Sequence, residues 1–258
     1  VVITSLASFF SLFIKIGGGF QIILLSICTV IIAFKQIKLP VVKWDKNIFI
    51  IAILLPALLI VLENATHSPN NPDTNIYHAQ AIRWIESYPA VFGLGNLHGR
   101  LAYNSAWFIS NAIFSFAFLG KQSFHLVPSF TFIIFLWYAW EGVLSSLKLQ
   151  FSIANITKLA FFTLSISLFG AEISSPGTDL PANIMVWFVI CIWLDHIEHK
   201  HPIYSLLIVL LSLFSVTVKL STLPILISAT VIFWYDLKLK NKYALILYFL
   251  LGSMIILP

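Results

Sequence analysis

Three groups of polar residues stand out in a chain that is otherwise apolar. The first contains Asp73, Tyr77, His78, Asn96, His98, Arg100 and Asn104. A carboxylate such as Asp73 can take a proton from a hydroxyl or an amine. The planar fork of Arg100, helped by His98, suits a phosphate. Tyr77, His78, Asn96 and Asn104 add hydrogen-bonding groups for a polar substrate. The same residues also have plainer uses. Asp73 directly precedes a helical pattern and can cap it, and Arg100 can carry its charge up to a headgroup layer along an apolar stem. Capping and catalysis are compatible.

The second group is the run Glu172, Ser174, Ser175, Gly177, Thr178, Asp179 and Pro181, which joins turn residues to two carboxylates between apolar stretches. Asp179 is the second candidate catalytic acid. Its plainer use is as a cap, together with Thr178, for a helix whose first turn holds Pro181. The third group is Asp195, His196, Glu198, His199 and His201. Histidines at this spacing beside carboxylates can hold zinc. The run falls at the end of an apolar stretch, however, where solvated polar residues are expected, so no metal ligands are assigned. Glu141, after Tyr138 and Trp140, is expected at a membrane interface.

These groups must be positioned by membrane-spanning helices. The 258 residues are 59% hydrophobic and 10% charged, with a mean hydropathy of +0.95. A soluble domain keeps about a quarter of its residues charged, so most of this chain cannot face water. The net charge of +5 does not point to nucleic acid, because the basic residues are scattered among short loops. Cys28 and Cys191 both lie in apolar stretches and are expected as buried thiols. The chain begins at Val1 and ends inside an apolar run, and it reads as a fragment forming a single membrane domain over 1–258.

A span needs about 20 mostly apolar residues. The candidates are 1–13, 20–33, 47–62, 124–144, 159–171, 181–194, 203–218, 220–235 and 243–257. The expected fold is therefore an all-α, polytopic transmembrane protein of about nine spans. Lysines at 35, 38, 43 and 46, and at 238, 240 and 242, mark two loops as cytoplasmic by the positive-inside rule. Counting spans from each loop agrees only if 103–119 does not cross. Asn104, Asn111 and Ser115 recur at helical spacing there, giving a polar stripe and an apolar face. We therefore expect a juxtamembrane helix on the outer side. A second amphipathic helix is expected over 74–88, started by Pro72 and Asp73 and stopped by Pro89. Its apolar face holds Tyr77, Ala81, Ile82, Ile85 and Tyr88, with Gln80, Arg83 and Glu86 elsewhere. Both belong to an outer loop spanning 63–123, and the same count puts Glu172 to Leu180 on that side.

This pattern resembles the C-type (GT-C superfamily) integral-membrane glycosyltransferases, such as the protein O-mannosyltransferases and aminoarabinose transferases. Asp73 matches the first-loop acid of that superfamily, 101–107 stands where it enters a juxtamembrane helix, and Ser174 to Asp179 before Leu180 resembles its later acid-then-span element. The strings 93–108 and 174–181 are also similar to a bacterial membrane-protein family of this architecture. The adjacent acidic pair of the superfamily is not present, since Thr74 and Asn75 follow Asp73. The resemblance implies transfer of a sugar from a polyprenyl phosphate to an acceptor outside the cytoplasm, at a bacterial cytoplasmic (inner) membrane. It implies that Asp73 deprotonates or orients the acceptor, that Arg100 and His98 steady the phosphate, and that Asp179 supports the acceptor or a divalent cation. The prenyl tail would lie along aromatic helices such as 107–118. The expected partners are the lipid bilayer and the polyprenyl-phosphate sugar, with no nucleic acid. The competing readings are a transporter or flippase for a lipid-linked or small polar substrate, an O-antigen polymerase or ligase, and a non-catalytic membrane subunit.

Overall fold

In an apolar surround every backbone N–H and C=O must find its partner within the chain, and a helix does this locally. The computed structural model describes residues 1–35, 48–120, 123, 125–170, 172–238 and 242–256. Regular structure among them is helical throughout. The α-helices are α1 (Val2–Ser11), α2 (Gly18–Lys35), α3 (Ile48–Thr66), α4 (Ala79–Ser87), α5 (Leu94–Leu97), α6 (Ala106–Ile113), α7 (Leu126–Leu147), α8 (Ile153–Phe169), α9 (Asp179–His199), α10 (Pro202–Val218), α11 (Leu226–Lys238) and α12 (Lys242–Ile256).

Each of the nine expected spans carries a helix, but the lengths differ. Among the described residues three helical segments are long and apolar enough to cross a membrane: Leu126–Leu147, Asp179–His199 and Leu220–Lys238. The last is α11 preceded by a 3-10 turn over Leu220–Ile225. Helix α1, with ten residues, is about 15 Å long. By itself it reaches half of an apolar layer about 30 Å thick. The orientation count used Lys38, Lys43, Lys46 and Lys240, which lie outside the described residues.

Helices α7 to α10 form the centre. Short loops make sequential helices antiparallel neighbours, and the loop ends are capped as the residue types dictate. Ser152 accepts from the Asn155 N–H at the start of α8. His201 Nδ1 accepts from the Ile203 N–H before α10, where Pro202 takes the first helical position. Helices α7 and α8 cross closely because residue 142 is glycine. A methyl group there would come within 2.5 Å of both the Asn155 oxygen and the Leu159 nitrogen. Phe132, Phe135, Ala139, Phe162 and Ile184 pack beside this crossing.

One end of this bundle is held by Glu141 and Asp195, which the sequence reading placed elsewhere, and by Lys158, which it did not single out. Lys158 is 1% exposed and places Nζ 2.5 Å from Glu141 and 2.7 Å from Asp195. The Tyr138 hydroxyl donates to Asp195, and the Tyr138 ring lies 4.7 Å from the ammonium. Asp195 is therefore an ion-pair partner rather than a member of a histidine metal site. Of the same run, His201 caps α10 and Glu198 accepts from the Ala154 N–H at 3.5 Å. Cys191 is buried as expected, whereas Cys28 is only partly buried.

The opposite end carries 63–123, and here two expectations need correction. Within 103–119, α6 has eight residues, about 12 Å, too short by itself to reach across an apolar layer of about 30 Å. Yet it is no interfacial helix with a wetted polar face, for every residue from Trp107 to Ile113 is buried. Its polar groups face protein. Ser110 and Thr4 share a hydrogen bond of 3.0 Å, Gln21 Nε2 donates to the Ala112 oxygen and to Ser115, and Asn111 donates to the Trp107 oxygen. The segment 74–88 opens with a π turn over Thr74–His78 before α4. Its buried positions are Thr74, His78, Ile82 and Glu86. Glu86 is thus inside, accepting from Ser123, while Tyr88 is exposed.

Candidate functional site

The π turn and the loop before α9 lie against each other at this end of the bundle. Thr74 and Ser175 share a hydrogen bond of 2.8 Å between their hydroxyls. Ser175 also accepts from the Gly177 N–H at 3.2 Å, and Asn71 reaches Glu172 at 3.5 Å. The contact is tight at Gly177, where an added methyl would stand 3.2 Å from His78 Cε1 and press on that ring. The Ser129 hydroxyl holds the loop from the α7 side by donating to the Ile173 oxygen.

Neither candidate acid acts as a cap. Asp73 stands at the N-cap position of the π turn with no side-chain capping bond, and its carboxylate pairs with Arg100. Thr178 at the N-cap of α9 likewise makes no capping bond, and the Asp179 carboxylate pairs with Lys219. Two carboxylate–cation pairs therefore flank the π turn. Tyr77 and His78 feel the charges of Asp73, Asp179 and Arg100 together. The Arg100 guanidinium lies 5.4 Å from the centre of the Tyr77 ring, within the range of a cation–π contact. Tyr77 also meets His78 at 4.2 Å and Tyr103 at 6.1 Å between ring centres.

His78 is 3% exposed, and its Nδ1 is buried without a hydrogen-bond partner. Burial holds the imidazole below its usual pKa, against the pull of Asp73 and Asp179. His125, whose Nδ1 is also unpartnered, is lowered by burial and by His78. Both rings are neutral at pH 7. The unfolded imidazoles take up protons first as pH falls below about 6.5. Stability attributable to the pair is therefore full above that pH and declines below it. Thermal unfolding followed from pH 8 to pH 5 should show this decline, and His78→Gln should flatten it.

The remaining candidates are placed differently. His98 turns its Nδ1 back to accept from the Arg100 N–H at 3.3 Å, so it positions the Arg100 backbone. Asn96 lies on α5 beside Gly93, which takes a left-handed φ of 84°. Asn104 is exposed on the wall of a cavity of about 620 Å³ that lies between α1, α4, α6 and the end of α10. Lys219 is the residue that sequence reasoning missed. It follows an apolar helix and carries no motif, but its place just past that helix, before Leu220, is a signal for a loop cation. Among the described residues no group of three or more His, Cys, Asp or Glu side chains gathers as a metal-ligand set.

The described residues thus define an all-helical protein of the kind that fits a membrane, with paired charges gathered at one end of its bundle. The chain belongs to the family described as a domain of unknown function (DUF8201), whose model matches residues 1–258. No curated protein and no solved structure matches it.

Proposed function

We propose that this protein is a C-type membrane glycosyltransferase, moving a sugar from a polyprenyl phosphate to a hydroxyl- or amine-bearing acceptor outside the cytoplasm. The observation that supports this reading is the gathering of the Asp73–Arg100 and Asp179–Lys219 pairs around Tyr77 and His78. An incoming phosphate competes with Asp73 for Arg100, and the carboxylate it releases is free to take the acceptor's proton. The acceptor oxygen or nitrogen then bonds to the anomeric carbon. The bond from that carbon to the phosphate oxygen breaks, and the phosphate leaves with the electron pair, held by Arg100 and Lys219. Asp179 orients the acceptor. The transporter reading draws on buried charge within helices. Lys158 and Asp195, however, satisfy each other at 2.7 Å, together with Glu141, and belong to the opposite end of the bundle from the two gathered pairs.

The test compares envelope glycans and glycoproteins by mass spectrometry in cells lacking the protein, restored with wild type, Asp73→Asn or Asp179→Asn. Each variant should insert normally and lose at least a hundredfold of the transferred sugar. Restored glycans with both variants would instead mark a non-catalytic subunit. Orientation has its own test. An impermeant maleimide applied to intact cells should label cysteines at Gly99 and Leu220 but not at His199. Labelling at His199 alone would put the site on the cytoplasmic side and end the polyprenyl-donor reading.

A further inference from the structure

The cavity of about 620 Å³ lies within the range of ligand pockets, about 300–1,000 Å³, and its walls differ in chemistry. One wall is the face of α1 carrying Ser5, Ser8 and Ser11. Each of these hydroxyls donates to a carbonyl of its own helix: Ser5 to Val1, Ser8 to Thr4 and Ser11 to Ser8, at 3.2, 3.0 and 2.7 Å. With their protons so directed, the oxygens turn lone pairs to the cavity and act there as acceptors. Another part of the lining is aromatic. Trp84 and Tyr88 meet with ring centres 5.2 Å apart, and Tyr103 lines the cavity as well. Asn104 supplies an amide at the rim.

We infer that this cavity binds a polyhydroxylated ring, the acceptor sugar of a glycan. A pyranose carries hydroxyl donors around its edge and an apolar C–H face, matching acceptors on one wall and aromatic rings on another. An alkyl or prenyl chain fits less well, since it would cover the free serine lone pairs and the Asn104 amide with groups that cannot bond to them. The position agrees. Tyr103 lies 6.1 Å from Tyr77, the ring under Arg100. Val218 and Leu220, on either side of Lys219, both line the cavity. The cavity wall thus includes Leu101, next to Arg100, and the two residues flanking Lys219. The acceptor role rests on the transferase reading, whereas binding of the ring does not.

The experiment needs no turnover. Cys28 and Cys191 are replaced by alanine, a single cysteine is placed at Ser11 or, as an independent reporter, at Val91, and the protein is reconstituted in nanodiscs. Maleimide labelling is timed with octyl glycosides of glucose, galactose, mannose and N-acetylglucosamine, and with n-octanol at equal concentration. At least one glycoside should slow both reporters tenfold or more beyond octanol, and Ser8→Ala should remove most of that protection. Equal protection by octanol, which would mark a chain-binding slot, or no protection by any glycoside, overturns the inference. Glycoside protection together with unchanged glycans in the Asp73→Asn cells would leave the pocket standing and remove the transferase reading. Lost glycans with no protection would do the reverse.

Discussion

Lys158→Ala is expected to destabilise the protein by about 3–5 kcal/mol, because removing one partner leaves a buried charge without compensation. Lys158 and Asp195 are 1% and 5% exposed, and the ammonium lies between two carboxylates. The loss would strand Asp195 with the Tyr138 hydroxyl as its remaining partner. Reversible unfolding in mixed micelles measures the effect. The triple variant Tyr138→Phe, Lys158→Met, Asp195→Leu provides the decisive comparison. Replacing a buried charged group as a unit by apolar residues is often neutral or stabilising, so this variant should recover most of the loss. A triple variant as weak as Lys158→Ala would show that the cluster does more than satisfy its own charges.

Gly142→Ala should cost about 1–3 kcal/mol by overpacking the α7–α8 crossing. The added methyl would meet the Asn155 oxygen and the Leu159 nitrogen at 2.5 Å. Both are backbone atoms, which cannot rotate away, so the two helices must separate. Gly19 is the control. It lies in α2 with nothing within 4 Å of the added methyl, and Gly19→Ala should stabilise by up to about 1 kcal/mol through helix propensity. Equal effects at the two positions would show that the close crossing does not limit stability.

The helical class and the places of the apolar helices are legible in the sequence, because hydropathy acts over whole segments and no partner is needed to read it. Helix α6 shows where that signal stops. Asn111 and Ser115 mark a stripe, but a stripe does not say whether water or protein faces it. Here Thr4 and Gln21, about a hundred positions earlier, supply the partners. The candidate site is legible in the same partial way. Asp73, Arg100 and Asp179 stand out as rare charges in turn-rich loops, whereas pairing Asp179 with Lys219 depends on how α9 and α10 return to the same end. Lys158 was overlooked for a related reason. A lysine early in an apolar helix looks like one that reaches solvent, until Glu141 and Asp195 are seen to close around it.

The widened turn over Thr74–His78 bears on how this loop tolerates changes of length. A π turn holds about one residue more than the α-helical turn it replaces. Here it sets Thr74 and His78 in one buried column with Ile82 and Glu86. Deleting any single residue within it would let the chain close into an ordinary helix, relaxing the local backbone. The α turn that replaces it covers nearly the same angle with one residue fewer, so the side chains before and after the deletion keep their faces. Losing the exposed Asn75 or Ile76 would leave Thr74 beside Ser175 and Ile82 in the core. Related chains should therefore tolerate the loss of one residue in this turn, whereas a loss within α4 would rotate its two halves by about 100° against each other.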